Sequence, residues 1–174
     1  MVSIRAAVPG DAVAIARVHV ESWRTTYAGI VPDEYLAGLD ETLRLKLWQE
    51  WLTSGAVVLV AERKGVVVGF VHAGKIREAI ETADAEIYSL YLLKDAQGRG
   101  IGRALLRVVS AVLQEQGFKS IALWVLERNR SRGFYEACGG RLTASKVIDI
   151  GGARLMEVAY WWPELAALAE LEQE

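Results

Sequence analysis

Three glycines, Gly98, Gly100 and Gly102, stand in the stretch YLLKDAQGRGIGRALL, residues 91–106, where a strand-like run gives way to a helical pattern. A helix N-terminus exposes unpaired N–H groups and carries partial positive charge. Glycines there let an anion approach several amides, so the junction suits a phosphorylated ligand, with Arg99 and Arg103 adding charge. Tight packing of strand against helix is the competing explanation. Two familiar phosphate loops do not fit. A dinucleotide fingerprint needs G-x-G-x-x-G after the first strand, whereas G-x-G-x-G here follows the fourth, which disfavours a nucleotide-binding oxidoreductase. A P-loop needs G-x-x-x-x-G-K-[ST], which is absent. The second chemical candidate is Glu86, a carboxylate inside the otherwise apolar stretch AEIYSLYLL. In an unbroken pleat it shares a face with Tyr88, Leu90 and Leu92. Partly desolvated, it would be a base with a raised pKa; at a strand end in water it would not, and both readings stand.

These residues need a scaffold, and the pattern along the chain supplies one. SIRAAV reads as a strand, and Asp11 is placed to cap a helix over AVAIARVHV. Pro32 and Asp33 open a second helical stretch that runs to about Thr53. AVVLVAER and VVVGFVHAGK are strands joined by the hairpin signal Lys64-Gly65. IREAIETAD reads as a polar connection before the strand carrying Glu86. A helix follows over 100–116, then the strand KSIALWVLE and a short helix in RSRGFYEAC. A hairpin turning at Gly151-Gly152 comes next, and then a last helix over about 163–173 with Pro163 in its first turn. The order β-α-α-β-β-β-α-β-α-β-β-α predicts an α/β fold: one mixed, mostly antiparallel sheet flanked by helices, in a single domain over 1–174.

Composition narrows the function classes. Of the 174 residues, 52% are hydrophobic and 24% charged, and the net charge is −2. That balance predicts no attraction to nucleic acid or to an anionic membrane. No apolar run reaches the ~20 residues that span a bilayer, and the first residues lack the pattern of a secretory leader. The lone Cys138 cannot form an internal disulfide, which fits a reducing, cytoplasmic location; it reads as a small buried residue. His19 and His72 have no third ligand at metal spacing, so no metal is expected.

The string Gln97-Gly98-Arg99-Gly100-Ile101-Gly102 resembles the Q/R-x-x-G-x-G/A signature of the GNAT superfamily of N-acetyltransferases. LWVLERN…GFYEACGGR is similar to that family's second conserved block, and the element order matches over most of the chain. The resemblance implies that Gln97, Gly98, Arg99, Gly100, Ile101, Gly102 and Arg103 hold the pyrophosphate of acetyl-CoA. It also implies that the backbone of Leu90, Tyr91 and Leu92 pairs with the pantetheine arm, where the fourth and fifth strands splay apart. Acyl transfer to an amine needs a base, because an alkylammonium has a pKa of ~10.4, and the departing thiolate benefits from an acid. Glu86 lies at the spacing before Gln97 seen for the base in the histone acetyltransferase branch. Tyr135, in GFYEAC, occupies the place of a tyrosine whose hydroxyl reaches the sulfur. The family block reads N-x-x-A-x-x-F-Y, and NRSRGFY departs from it, so Asn129 either bonds the pantetheine arm or caps the short helix. HVESWRTTYAGIVP, residues 19–32, resembles an H-x-x-S-W-R-x-x-Y-x-G-x-x-P pattern of a bacterial branch. There Trp23, Arg24 and Tyr27 are expected to wall the acceptor site, with Arg24 holding an acceptor anion. The implied activity is direct transfer of acetyl from acetyl-CoA, the co-substrate, to a primary amine of a small molecule. A non-catalytic acyl-CoA-binding module and a protein N-acetyltransferase are the alternatives. The adjacent Trp161 and Trp162 point to opposite faces of a strand, so one is expected at a homodimer interface.

Overall fold

The computed structural model describes residues 1–171. Seven strands form one sheet: β1 (Val2–Ala6), β2 (Val57–Arg63), β3 (Val66–Lys75), β4 (Ala85–Leu92), β5 (Ile121–Leu126), β6 (Arg141–Ile150) and β7 (Ala153–Trp162). Their spatial order is β1-β2-β3-β4-β5-β7-β6, antiparallel throughout except for β4 beside β5. The helices among the described residues are α1 (Ala12–Thr26), α2 (Asp33–Ala37), α3 (Glu41–Trp51), α4 (Ile101–Glu115), α5 (Arg132–Ala137) and α6 (Leu165–Ala169). The mixed, mostly antiparallel sheet is the one that the pattern predicts.

Alternation along β2 shows why the sheet needs both layers of helices. Val57, Leu59 and Ala61 face the layer of α4 and α6, with Leu105, Val109, Leu113 and Leu168. Val58 and Val60 face the layer of α1 and α3, with Ile15, Val18 and Trp48. Each ~0.8 kcal/mol per buried methylene favours closing both faces over these β-branched strands. Lys64 and Gly65, at φ 52° and 77°, turn β2 into β3 as their types predict.

Several boundaries differ from expectation. Asp11 precedes α1 but does not cap it with its side chain; its carboxylate is held by Arg5 at 2.7 Å and 2.9 Å and by the Val8 amide at 2.8 Å. The second helical stretch is two helices, because Asp40 caps α3 by accepting from the Thr42 and Leu43 amides. The connection 76–84 is more than polar: Ile80 is buried against Ala122 and Ala159. The last helix starts at Leu165, past Pro163, and the end of the expected span, residues 172–173, lies outside the described residues.

Two irregularities matter for function. β4 and β5 pair only at Ala85–Ile121 and Glu86–Ala122 and then part, so the β4 edge beyond Glu86 has no strand partner on that side. β4 also carries a bulge. Ser89 pairs with His72 and Ile87 with Ala73, leaving Tyr88 as the extra residue. The bulge shifts the side-chain alternation by one, and the expectation of an unbroken pleat fails. Cross-strand partners share a face, so Glu86, opposite Gly74, lies with Ser89 and Tyr91, opposite His72 and Phe70, and not with Leu90 and Leu92. Leu90 and Leu92 pack instead on the α4 layer.

Candidate active site

The gap between β4 and β5 is a cavity of about 470 Å³. The glycine loop closes one end of it, with Gln97, Gly98, Gly100, Gly102 and Arg103 in the wall. Gly98 and Gly100 hold φ of 67° and 74°, the left-handed region that glycine enters without strain. Gly100 opens α4 with no side-chain cap, so the first-turn amides keep their donors free for an anion. Gly102 has a second reason to lack a side chain: a Cβ there would stand 3.2 Å from the Phe134 ring. The expected loop residues do not all present side chains to the cavity. Ile101 is buried in the core, and Arg99 turns back to donate to the Asp95 carbonyl at 3.0 Å. Gln97 and Ser22 both donate to the Leu92 carbonyl, at 3.2 Å and 3.1 Å, which anchors the loop and α1 to the end of β4.

Tyr135, from α5, lines the same cavity. Its ring is 6% exposed, and burial raises the hydroxyl pKa, so it stays protonated across the physiological range. Among the described residues nothing bonds that hydroxyl. Asn129 also lines the cavity; its Oδ1 accepts from the Ser131 amide at 2.8 Å, ahead of α5, and its Nδ2 donates to the Tyr27 hydroxyl at 3.4 Å. The turn role and a place in the wall therefore coexist.

A second cavity, of about 530 Å³, shares Tyr27, Tyr88, Tyr91, Trp124 and Val125 with the first. Glu86 sits in its wall, 1% exposed, and burial raises its pKa. The Arg77 guanidinium opposes that rise: its Nε lies 2.5 Å from Glu86 Oε2, and it covers the Tyr88 ring at 4.4 Å. Lys146, from β6, pairs with Glu78 and with Glu157, the latter at 3.5 Å, and lies 4.1 Å above the Trp124 ring. Trp23 and Tyr27 form the α1 side of this cavity, their rings 4.7 Å apart. Arg24 does not reach either cavity. It donates to the carbonyls of Leu36 and Leu39 at 3.2 Å and 2.9 Å, binding α1 to α2 and the turn after it. Tyr35 packs on Gly151, at the tip of the β6–β7 hairpin whose Ile148 and Ile150 line the cavity.

Arg77, Glu78, Lys146 and Glu157 were not singled out from the sequence. Lys146 and Glu157 left a faint signal as charges in two apolar-alternating strands. Arg77 and Glu78 left none, since charges in a connection are ordinary.

A profile of the acetyltransferase (GNAT) family matches residues 17–140. The chain belongs to the GNAT family. An uncharacterized N-acetyltransferase of Bacillus subtilis, YuaI, is 42% identical over 171 residues, which is 98% of either chain. Among solved structures, the PaiA N-acetyltransferase of Thermoplasma acidophilum in complex with coenzyme A superposes with a TM-score of 0.70 at 23% identity, covering 91% of this chain and 98% of that one. YncA of Salmonella typhimurium, solved with acetyl-CoA, superposes with a TM-score of 0.73 at 24% identity, covering 95% and 94%. These two share the GNAT fold with this chain. No helix among the described residues is long and apolar enough to cross a membrane.

Proposed function

We propose that this GNAT acetyltransferase moves the acetyl group of acetyl-CoA directly to a primary amine of a small molecule, with Glu86 as base and Tyr135 as acid. One observation carries the reading: the cavity between the parted strands runs from the uncapped amides of α4 to Tyr135 and shares a wall with the cavity of Glu86. A coenzyme with an anionic end and a thioester end fits a site whose two ends differ in this way. The pyrophosphate would take the amides of Gly98 to Gly102 and the charge of Arg103. The pantetheine amides would pair with the open edge of β4 at Leu90 and Tyr91, beside Asn129. Leu92 is a weaker candidate, because its carbonyl is occupied by Ser22 and Gln97.

The step balances without a covalent enzyme intermediate. Glu86 removes the ammonium proton, and the amine lone pair forms a C–N bond to the acetyl carbon. The C–S bond breaks, Tyr135 supplies a hydrogen bond or proton to the leaving sulfur, and the second proton on the attacking nitrogen leaves to the tyrosine oxygen or to solvent, giving the neutral amide and the free CoA thiol. Trp23 and Tyr27 form the acceptor wall. Cytoplasmic location and a homodimer complete the proposal. The first is supported by the free, buried Cys138, and the second by Leu142, Val147 and Met156, exposed at 56%, 48% and 37% on the β6–β7 hairpin.

The test is thiol release from acetyl-CoA across a panel of small amines and peptide amino termini, beside a calorimetric titration with CoA and NAD. Turnover of small amines and binding of CoA alone support the reading. Tight CoA binding without thiol release from any acceptor would leave a non-catalytic acyl-CoA module, and preference for peptides a protein acetyltransferase.

A further inference from the structure

A third cavity, of about 590 Å³, lies beyond the wall of Glu86, and none of the roles above uses it. Its floor holds His19 from α1 and His72 from β3, 6% and 7% exposed. Its cations are Arg44 on α3, Lys75 at the end of β3, and Arg77. Among the described residues no aspartate or glutamate lines it. That is unusual in a chain of net charge −2, and it contrasts with the neighbouring cavity, which holds Glu78, Glu86 and Glu157. Arg77 is paired with Glu86, but Arg44 and Lys75 have no ion-pair partner among the described residues, and unmatched cations around a recess concentrate anions.

The floor offers donors without adding charge. Burial, the guanidinium of Arg44 and the other imidazole push the His19 pKa down to about 3. Burial and Arg77 push His72 down to about 4. Both are therefore neutral at pH 7. The Trp48 indole donates to His19 Nδ1 at 3.2 Å, which puts the remaining imidazole proton on Nε2 as a donor. The walls are flat rings: Tyr88 lies 4.9 Å and Trp51 5.5 Å from the His72 ring, and Tyr91 stacks at 5.5 Å on His19.

The seam between the two cavities is Arg77 on Glu86, flanked by Trp23, Tyr88 and Tyr91, which line both. Glu86 is buried, while the Arg77 side chain is 65% exposed. A carboxylate facing an ammonium site and a guanidinium facing an anion site are together the complement of a zwitterion. We infer that the acceptor amine also carries a carboxylate on an aromatic or apolar body, and that the His19–His72 cavity receives this anionic end. This rests on the acetyl-transfer reading for the word acceptor, but the cavity's ligand can be tested apart from it.

The two histidines of this cavity are the only two in the chain, so their ring C–H signals in an NMR spectrum report from it alone. The probe is phenylacetate, with phenethylamine and inorganic phosphate as controls. Phenylacetate is expected to shift both histidine signals and to raise their titration midpoints, because an anion beside an imidazole favours its charged form. Lys75→Ala and Arg44→Ala are each expected to weaken phenylacetate binding about fivefold, the value of one partly screened charge. In thiol release, L-phenylalanine is expected to exceed phenethylamine in kcat/KM by about tenfold or more, as one charge-assisted hydrogen bond allows. Histidine signals unmoved by phenylacetate, or moved equally by phosphate, overturn the inference, as does a preference for phenethylamine. Shifted histidines with no thiol release from any amine of the panel uphold the anion cavity and overturn the acetyl-transfer reading instead.

Discussion

At Glu86, two effects of opposite sign meet. Burial raises its pKa, and the Arg77 guanidinium lowers it, with burial the larger. A base is useful only when deprotonated, so the acid limb of kcat/KM should lie above the ordinary carboxylate range, with activity lost as pH falls through it. Arg77→Ala removes the lowering contribution and should move that limb to still higher pH in a pH–rate profile. Glu86→Gln keeps shape and removes basicity; it should cost ~10²–10⁴-fold at neutral pH, less as pH rises and acceptor deprotonates unaided. Stability should move the other way. A carboxyl whose folded pKa is raised favours the fold below its unfolded pKa and loses that contribution as pH rises through the folded value. At pH 7 the buried charge is a burden, so Glu86→Gln should not lower Tm in a thermal melt. For Tyr135 the hydroxyl has no protein partner among the described residues, so Tyr135→Phe should leave Tm and CoA affinity unchanged. Its kcat should fall by ~10–10³-fold if the hydroxyl serves the leaving sulfur. Full turnover at an unchanged melting point would remove it from the reaction.

At the scale of elements, the turn into α4 and the β6–β7 hairpin that lines the Glu86 cavity are separable. Gly100 has φ of 74°, so Gly100→Val adds roughly 1–2 kcal/mol of left-handed strain and places a branched side chain where the anion must approach. Calorimetry should show CoA binding lost in a folded protein; an unchanged affinity would refute the phosphate cradle. Gly102→Val acts differently, since its Cβ meets Phe134, and it should lower Tm as well. At the other end, Gly151 has φ of 60°, and a Cβ there would lie 2.8 Å from Tyr35 Cβ. Gly151→Ala should therefore lift the hairpin tip from the α2 side and raise the acceptor KM while CoA affinity stays put. A CoA defect of equal size would mean that the two cavities are one mechanical unit. The glycine spacing was legible because it is local: helix start, anion and backbone φ all lie within a few residues. The H-x-x-S-W-R pattern was legible as a pattern but not as a role. His19 accepts from Trp48, Ser22 reaches Leu92, and Arg24 holds α2, so much of it fastens α1 to its neighbours.

For the whole molecule, the tryptophan pair does not supply the surface on which a homodimer was expected. Trp162 is buried at 2% with its indole on the Cys138 carbonyl at 2.9 Å, and Trp161 packs with Ile80 and Ala122. Neither tryptophan offers the exposed ring that adjacency in a strand suggested. Exposed apolar side chains on the β6–β7 hairpin include Val147 and Met156, which are cross-strand partners. A homodimer through this face should give twice the chain mass by light scattering at tens of micromolar, an order that captures ordinary dimers. Val147→Glu should then return the monomer mass; a monomer from the start would remove the interface.

The sheet and its flanking helices, the glycine-rich turn at Gly98–Gly102, and Glu86 and Tyr135 as the residues to explain were legible in the amino-acid sequence. Each rests on periodicity or on neighbours along the chain, where hydrophobic alternation and capping chemistry act over short range. Tertiary structure alone sets which face Glu86 takes, because one extra residue at Tyr88 inverts the alternation that the sequence implies. Only it brought Arg77 to Glu86 and Lys146 to Glu157 across the cavity, and left three cations around two neutral histidines. Those groupings join strands, a helix and a loop far apart in the chain, and the energy of desolvating or pairing a charge depends on what stands beside it in space.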